Sequence, residues 1–316
     1  MADNSPLVVI PDDAPPVMAS CAAYPSFARD YRVEYHDSLP GDRLVERIRE
    51  AGIVVNIRSS TQFNESVFAL CPRLKMVSIW GTGTDNIDLH AASARGIVVT
   101  NTPGVSAPSI AEHTLALLFA VARRMCSLDS RTRAGEWARG EMTMLAGKTL
   151  GVIGLGAIGK RVARLGEAIG MRVITWTFHP EGAPEFSHVP LEQLLDESDV
   201  VSLHLRLSEK TRQFLGRDRL ARMKRSAIFL NTARGAIVDE AALIEALAAR
   251  RIAGAGLDVF ETEPLPAGHA LTKLDNVVLT PHCAGITPEV LEAGLALALD
   301  NVRAFLAGRP ANVVNA

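Results

Sequence analysis

Short apolar, β-branched runs alternate with amphipathic stretches from one end of the chain to the other. In the first third the strand-like runs are Leu7–Ile10, Arg32–His36, Ile53–Ile57, Met76–Trp80 and Ile97–Thr100. Amphipathic segments such as Leu44–Ala51 and Asn86–Arg95 lie between them. Further on the runs are Thr149–Gly154, Arg172–Phe178, Asp199–Leu205, Ala227–Asn231, Gly256–Phe260 and Val277–Thr280. Apolar strands alternating with helices predict parallel sheets covered on both faces. Two long helices separate the series. One spans Pro108–Met125, with Ile110, Thr114, Leu117, Leu118, Val121 and Met125 at helical spacing, Glu112 in its first turn and Arg123-Arg124 in its last. The other follows the N-terminal signal Thr287-Pro288-Glu289 and runs to Gly308. The pattern predicts two domains in a discontinuous plan: residues 1–101 with 287–316, and an inserted 102–286. No solenoid-period repeat or low-complexity stretch interrupts it.

Composition narrows the class. Of the 316 residues, 48% are hydrophobic and 22% charged, which suits a packed globular protein. A net charge of −2 provides no basic field for nucleic acid or acidic membrane. The apolar runs Leu115–Ala122 and Leu150–Gly159 stop at Arg123 and Lys160, short of a membrane span. The opening Met1-Ala2-Asp3-Asn4 does not read as a secretory signal. Cys21, Cys71, Cys126 and Cys283 are widely spaced, as expected of a cytoplasmic protein without a disulfide framework or zinc knuckle. No H-E-x-x-H occurs, and Gly104-Val105-Ser106-Ala107-Pro108 breaks the serine-hydrolase elbow, so the sequence predicts neither a metal site nor that triad.

Gly154-Leu155-Gly156-Ala157-Ile158-Gly159 follows an apolar strand and opens the helix Ala157–Ile169, whose wet side carries Lys160, Arg161 and Arg164. That context makes G-x-G-x-x-G a dinucleotide turn: its glycines let backbone approach a pyrophosphate at a helix N-terminus. The acidic ribose partner expected about 20 residues on is missing; Thr177 takes its place, near Arg172 and His179. The cofactor is therefore NAD(H) or NADP(H). Past three strand ends lie Arg234, Glu263 and His282, three types suited to 2-keto acid reduction. Arg grips a carboxylate with a two-pronged fork, an imidazolium donates a proton to the forming alkoxide, and a carboxylate beside it favours and orients that imidazolium.

These residues and several further motifs resemble the D-2-hydroxyacid dehydrogenase family. The likeness runs from about Ile53 through Gly81–Asp88, Ala111-Glu112-His113-Thr114, Gly154–Gly159, Asn231–Gly235, Gly256–Phe260, Glu263-Pro264-Leu265-Pro266 and Pro281-His282. It implies a Rossmann-type doubly wound sheet inserted in a flavodoxin-like α/β domain, paired as a homodimer through the cofactor domain. It implies Arg234, Glu263 and His282 as substrate-binding, pKa-tuning and proton-donating residues. It assigns Gly154, Gly156, Ala157, Ile158 and Gly159 to the pyrophosphate, and Leu205, Arg206 and Thr211 to the adenosine and phosphate side. Asp258 falls to the nicotinamide carboxamide, with Thr232 and Ala233 at the same end. Backbone amides around Thr82 and Gly83 would receive the carboxylate of a small 2-keto or 2-hydroxy acid. Thr177, Arg206 and Cys283 depart from the family's common residues. Corepressors that sense NAD(H) share the fold, but lack of long charged tails and the full Arg/Glu/His set favour an enzyme. Glu263 argues against a formate dehydrogenase, which resembles this group with Gln at that place, and no regulatory domain is expected after Ala316. Trp80 reads either as pocket wall or as core, and Arg58 either as host to a second anionic group or as a solvated charge. Cys283 reads as a small buried hydrophobe rather than a nucleophile.

Overall fold

A computed structural model describes residues 5–315. The chain divides into two compact units, Met1–Ser106 with Ile286–Ala316, and Ala107–Gly285.

The first unit holds strands β1 (Val8–Ile10), β2 (Val33–Tyr35), β3 (Ile53–Asn56), β4 (Met76–Ile79) and β5 (Val98–Thr100), all parallel, in the order β2-β1-β3-β4-β5. β1, β3 and β4 are buried throughout, as strands covered on both faces must be. One covering element is the helix Pro288–Leu306, capped by Thr287 with Pro at its first position. Trp80 packs half-buried against this helix, where the Gly294 position leaves no room for a Cβ: one would lie 2.3 Å from Trp80 Nε1. Trp80 is thus core in this unit. The amphipathic run Asn86–Arg95 forms a shorter helix, Leu89–Ala94, because the Asp88 carboxylate caps the Ala91 N–H.

The second unit holds β6 (Thr149–Ile153), β7 (Arg172–Trp176), β8 (Val200–Leu203), β9 (Ile228–Asn231), β10 (Gly254–Leu257) and β11 (Val277–Leu279) in the parallel order β11-β10-β9-β8-β6-β7. The register aligns Trp176, Ile153, Leu203, Asn231, Leu257 and Leu279 in one row across all six strands. The next residues, Thr177, Gly154, His204, Thr232, Asp258 and Thr280, therefore leave the sheet along a single carboxyl edge. The order reverses around β6, and ligands of open α/β sheets bind beyond strand ends at such a reversal.

Two expectations are corrected. The predicted helix Pro108–Met125 ends at Ala122; Arg124 turns left-handed (φ 52°) and a separate helix, Met125–Arg133, follows. The first therefore carries no acidic residue in its first turn and no basic residue in its last. Likewise β10 is Gly254–Leu257 rather than Gly256–Phe260. Its glycines are strand residues because the 107–122 helix lies against them: a Cβ would come 2.9 Å from Val121 at Gly254 and 2.9 Å from Leu117 at Gly256.

Candidate active site

The dinucleotide turn is built by exclusion of side chains. Gly154 sits at φ 94°, and a Cβ there would come 2.6 Å from the His204 carbonyl. A Cβ on Gly159 would lie 1.9 Å from the Gly154 carbonyl, so only glycine lets the helix Ala157–Ala168 start so close to β6. Gly156, at its N-cap, is exposed, offers no side-chain cap and has open space above it. With no side-chain cap, the first N–H groups of the helix, at Ala157 and Ile158, are left for an anion, which suits a pyrophosphate.

The other cofactor candidates fall at the same edge. Thr177, directly past β7, is half-buried, and its hydroxyl accepts from the His179 N–H. Leu205 is buried against Gly154, while Arg206 is exposed. Thr211 is buried and its hydroxyl holds the loop, donating to the Arg206 carbonyl (2.7 Å) and accepting from the Ser208 N–H. Thr232 Oγ1 lies 2.9 Å from Thr114 Oγ1.

His204 lies beneath the turn, partly covered, with Nε2 2.7 Å from Ser202 Oγ and with Nδ1 buried and unpartnered. Burial pushes its pKa down to about 3. The depressed value means the folded chain binds fewer protons than the unfolded chain below pH ~6.5, so stability falls as acidity rises through that window. We expect about 1 kcal/mol to be lost on going from pH 7.5 to 5.5. His204→Asn should flatten that slope in urea unfolding curves; an unchanged slope would assign the acid sensitivity elsewhere.

Arg234, Glu263 and His282 are brought together by three neighbouring strand ends. After β9 the Asn231 side chain stitches the turn in both directions, donating to the Arg234 carbonyl (3.0 Å) and accepting from the Ala233 N–H (3.0 Å). Gly235 presses on the chain after β10: a Cβ would meet the Phe260 carbonyl carbon at 1.9 Å. The Phe260 N–H donates to Glu263 Oε1 (3.0 Å), and Glu263 Oε2 lies 2.6 Å from His282 Nδ1. Burial raises the Glu263 carboxyl. The His282 hydrogen bond and charge, the Phe260 N–H and the Arg234 charge together outweigh it and hold the group below the usual carboxylate range. Glu263 is therefore an anion at neutral pH, aimed at one imidazole nitrogen. His282 adopts a left-handed conformation (φ 50°), uncommon outside glycine, pinned by its N–H to the Asp258 carbonyl (2.8 Å). Arg234 Nη1 donates to the Ala233 carbonyl (2.8 Å).

Asp258 is buried, with both carboxylate oxygens hydrogen-bonded. Its Oδ1 accepts from the Thr280 hydroxyl (2.6 Å) and the Cys283 N–H (3.0 Å), and its Oδ2 from the Ala284 N–H (3.0 Å). His113, from the 107–122 helix, lies 2.9 Å from Thr280 Oγ1 and 3.6 Å from Asp258. Sequence reasoning gave neither His113 nor Thr280 a role. The predicted strands Gly256–Phe260 and Val277–Thr280 place Asp258 and Thr280 inside strands, and only the observed register sets the two side by side just past the strand ends. The sequence predicted no metal site, yet His113, Asp258 and Cys283 place ligand atoms within 4.8 Å of one another. Burial first, then the Asp258 charge, push the Cys283 thiol up, which disfavours a nucleophile.

Thr82 and Gly83 follow β4 in the first unit; Asn101 donates to the Thr82 carbonyl (2.9 Å), and Thr102 Oγ1 accepts from the Gly81 N–H (2.8 Å). Arg58 is not solvated: it donates to the Pro15 carbonyl and lies 3.6 Å from the buried Asp13.

Comparisons with known proteins identify the family of the chain. The profile for the D-isomer specific 2-hydroxyacid dehydrogenase, NAD binding domain, matches residues 115–284. A glyoxylate reductase of Korarchaeum cryptofilum is 43% identical over 285 residues, covering 86% of this chain and 85% of its own. A glycerate dehydrogenase of Methylorubrum extorquens is 37% identical over 301 residues, covering 92% of this chain and 94% of its own. Among solved structures, an NADPH-dependent glyoxylate/hydroxypyruvate reductase of Sinorhizobium meliloti in complex with NADP and malonate is 29% identical. It superposes with a TM-score of 0.88 over 98% of this chain and 97% of that one. From the glycine turn, the Arg–Glu–His edge and these relatives together, the chain belongs to the D-isomer-specific 2-hydroxyacid dehydrogenase family.

Proposed function

We propose that the chain reduces small 2-keto acids, glyoxylate and hydroxypyruvate foremost, to D-2-hydroxy acids with NADH or NADPH. The observation that carries this reading is the 2.6 Å contact between His282 Nδ1 and Glu263, beside Arg234, on the same sheet edge as the glycine turn.

The bound dihydronicotinamide supplies a hydride. Arg234 clamps the substrate carboxylate and draws electron density from the adjoining carbonyl. His282 donates its Nε2 proton to the oxygen on which negative charge grows, and Glu263 holds the ring protonated and correctly turned. In oxidation the neutral imidazole takes that proton back. Asp258 is proposed to hold the nicotinamide carboxamide beside Thr232 and Ala233. Thr82 and Gly83 are proposed as backbone donors to the substrate carboxylate. The engagement of Arg58 by Asp13 supports a substrate without a second anionic group. A homodimer paired through the cofactor unit is supported by the exposed Met125, Trp137, Met142 and Met144. Four free thiols support the reducing cytoplasm as its place.

Steady-state rates with glyoxylate, hydroxypyruvate and pyruvate, each with NADH and NADPH, test the reading. Thr177 carries no charge to repel a 2′-phosphate, so both cofactors should serve. An NADH preference of roughly a hundredfold, ~2.7 kcal/mol, would refute the role given to Thr177. A protein inert to all three acids yet binding dinucleotide would favour the corepressor reading, which the relatives described above do not support.

A further inference from the structure

We propose that His113, Asp258 and Cys283 form an inhibitory site for a thiophilic divalent cation, zinc in particular. The binding step depends on these residues alone; its consequence for turnover rests on the function proposed above. His113 Nε2 and Asp258 Oδ1 are 3.6 Å apart, and Cys283 Sγ and Asp258 Oδ1 3.8 Å. Zinc bonds of about 2.0–2.3 Å to nitrogen, oxygen and sulfur give tetrahedral ligand separations of about 3.3–3.8 Å, so both distances are near those a bound ion needs. Imidazole, carboxylate and thiolate are the donor set such a cation takes, and three protein ligands leave its fourth position to water.

The Thr280 hydroxyl bridges the same atoms, 2.9 Å from His113 Nε2 and 2.6 Å from Asp258 Oδ1. A cation takes its place once Thr280 turns about its single side-chain torsion. The Cys283 thiol gives up its proton to solvent as the sulfur–metal bond forms. Asp258 is buried, while His113 and Cys283 keep partial exposure, so the cation enters from their side. The site adjoins the reacting groups: Cys283 follows His282, whose N–H donates to the Asp258 carbonyl. Occupancy would tie up the Asp258 carboxylate, proposed above to hold the nicotinamide carboxamide, next to the His282 backbone it anchors.

Cobalt(II) serves as an optical probe of binding. Added to the purified full chain, it should give a near-ultraviolet thiolate-to-metal band that Cys283→Val abolishes and Cys126→Ser keeps. Micromolar zinc should cut keto-acid reduction tenfold or more, reversibly on adding a chelator. Cys283→Val should keep its metal-free rate and lose that inhibition, and His113→Gln should lose the cobalt band. Absence of the band in the unaltered chain, or its survival in Cys283→Val, would overturn the site. Zinc inhibition undiminished in Cys283→Val would place the inhibitory ion elsewhere and also overturn the proposal. A chain that shows the Cys283-dependent band but reduces no keto acid would keep the site and sink the functional reading instead.

Discussion

Replacing His282 with Ala should lower kcat for keto-acid reduction by roughly 10²–10⁴, the usual contribution of a positioned general acid. The effect should fall on turnover and leave dinucleotide affinity nearly unchanged, because the glycine turn is assembled by β6, β8 and the 157–168 helix without His282. Removing the ring also leaves Glu263 without its 2.6 Å partner in a partly buried place. Its carboxyl should then return toward the ordinary range, since the His282 hydrogen bond and charge are the foremost influences lowering it. Stopped-flow turnover paired with fluorescence titration of NADPH separates the two effects. Unchanged turnover would remove His282 from the chemistry.

Gly235→Ala should destabilise the cofactor unit by ~3 kcal/mol or more and lower its melting temperature by roughly 6–12 °C. The added methyl would stand 1.9 Å from the Phe260 carbonyl carbon, 2.1 Å from its oxygen and 2.4 Å from the Glu261 nitrogen. All three are backbone atoms, so no side chain can swing aside. The turn after β9 must therefore separate from the chain after β10. Arg234 sits on one side of that contact and Glu263 on the other, so activity should fall along with stability. Calorimetry and steady-state rates on the same preparation test both; a melting temperature within about a degree of the parent would show that the backbone yields cheaply.

Much of this is legible in the sequence, because strands buried on both faces announce themselves as apolar runs and functional residues of such sheets cluster past their ends. The sequence marks Thr177, Gly154, Thr232 and Asp258 one at a time; the register puts them in one row. What escaped detection depended on contacts between distant residues. Gly254 looks like a strand breaker, and only the approach of the 107–122 helix makes it a strand residue. Arg124 ends that helix in a left-handed conformation no local signal demands of an arginine. His113 reaches Thr280 and Asp258 across more than 140 residues, a distance over which spacing carries no information.

The proposed chemistry requires three side chains to meet around one carbonyl. Its most direct test is a crystal structure with NADP and oxamate, an unreactive mimic of a 2-keto acid. The Arg234 fork should lie within about 3 Å of the oxamate carboxylate, and His282 Nε2 within hydrogen-bond reach of its carbonyl oxygen, with Glu263 still on Nδ1. A ligand-filled site with the guanidinium or the imidazole farther from the oxamate than one bridging water would contradict it.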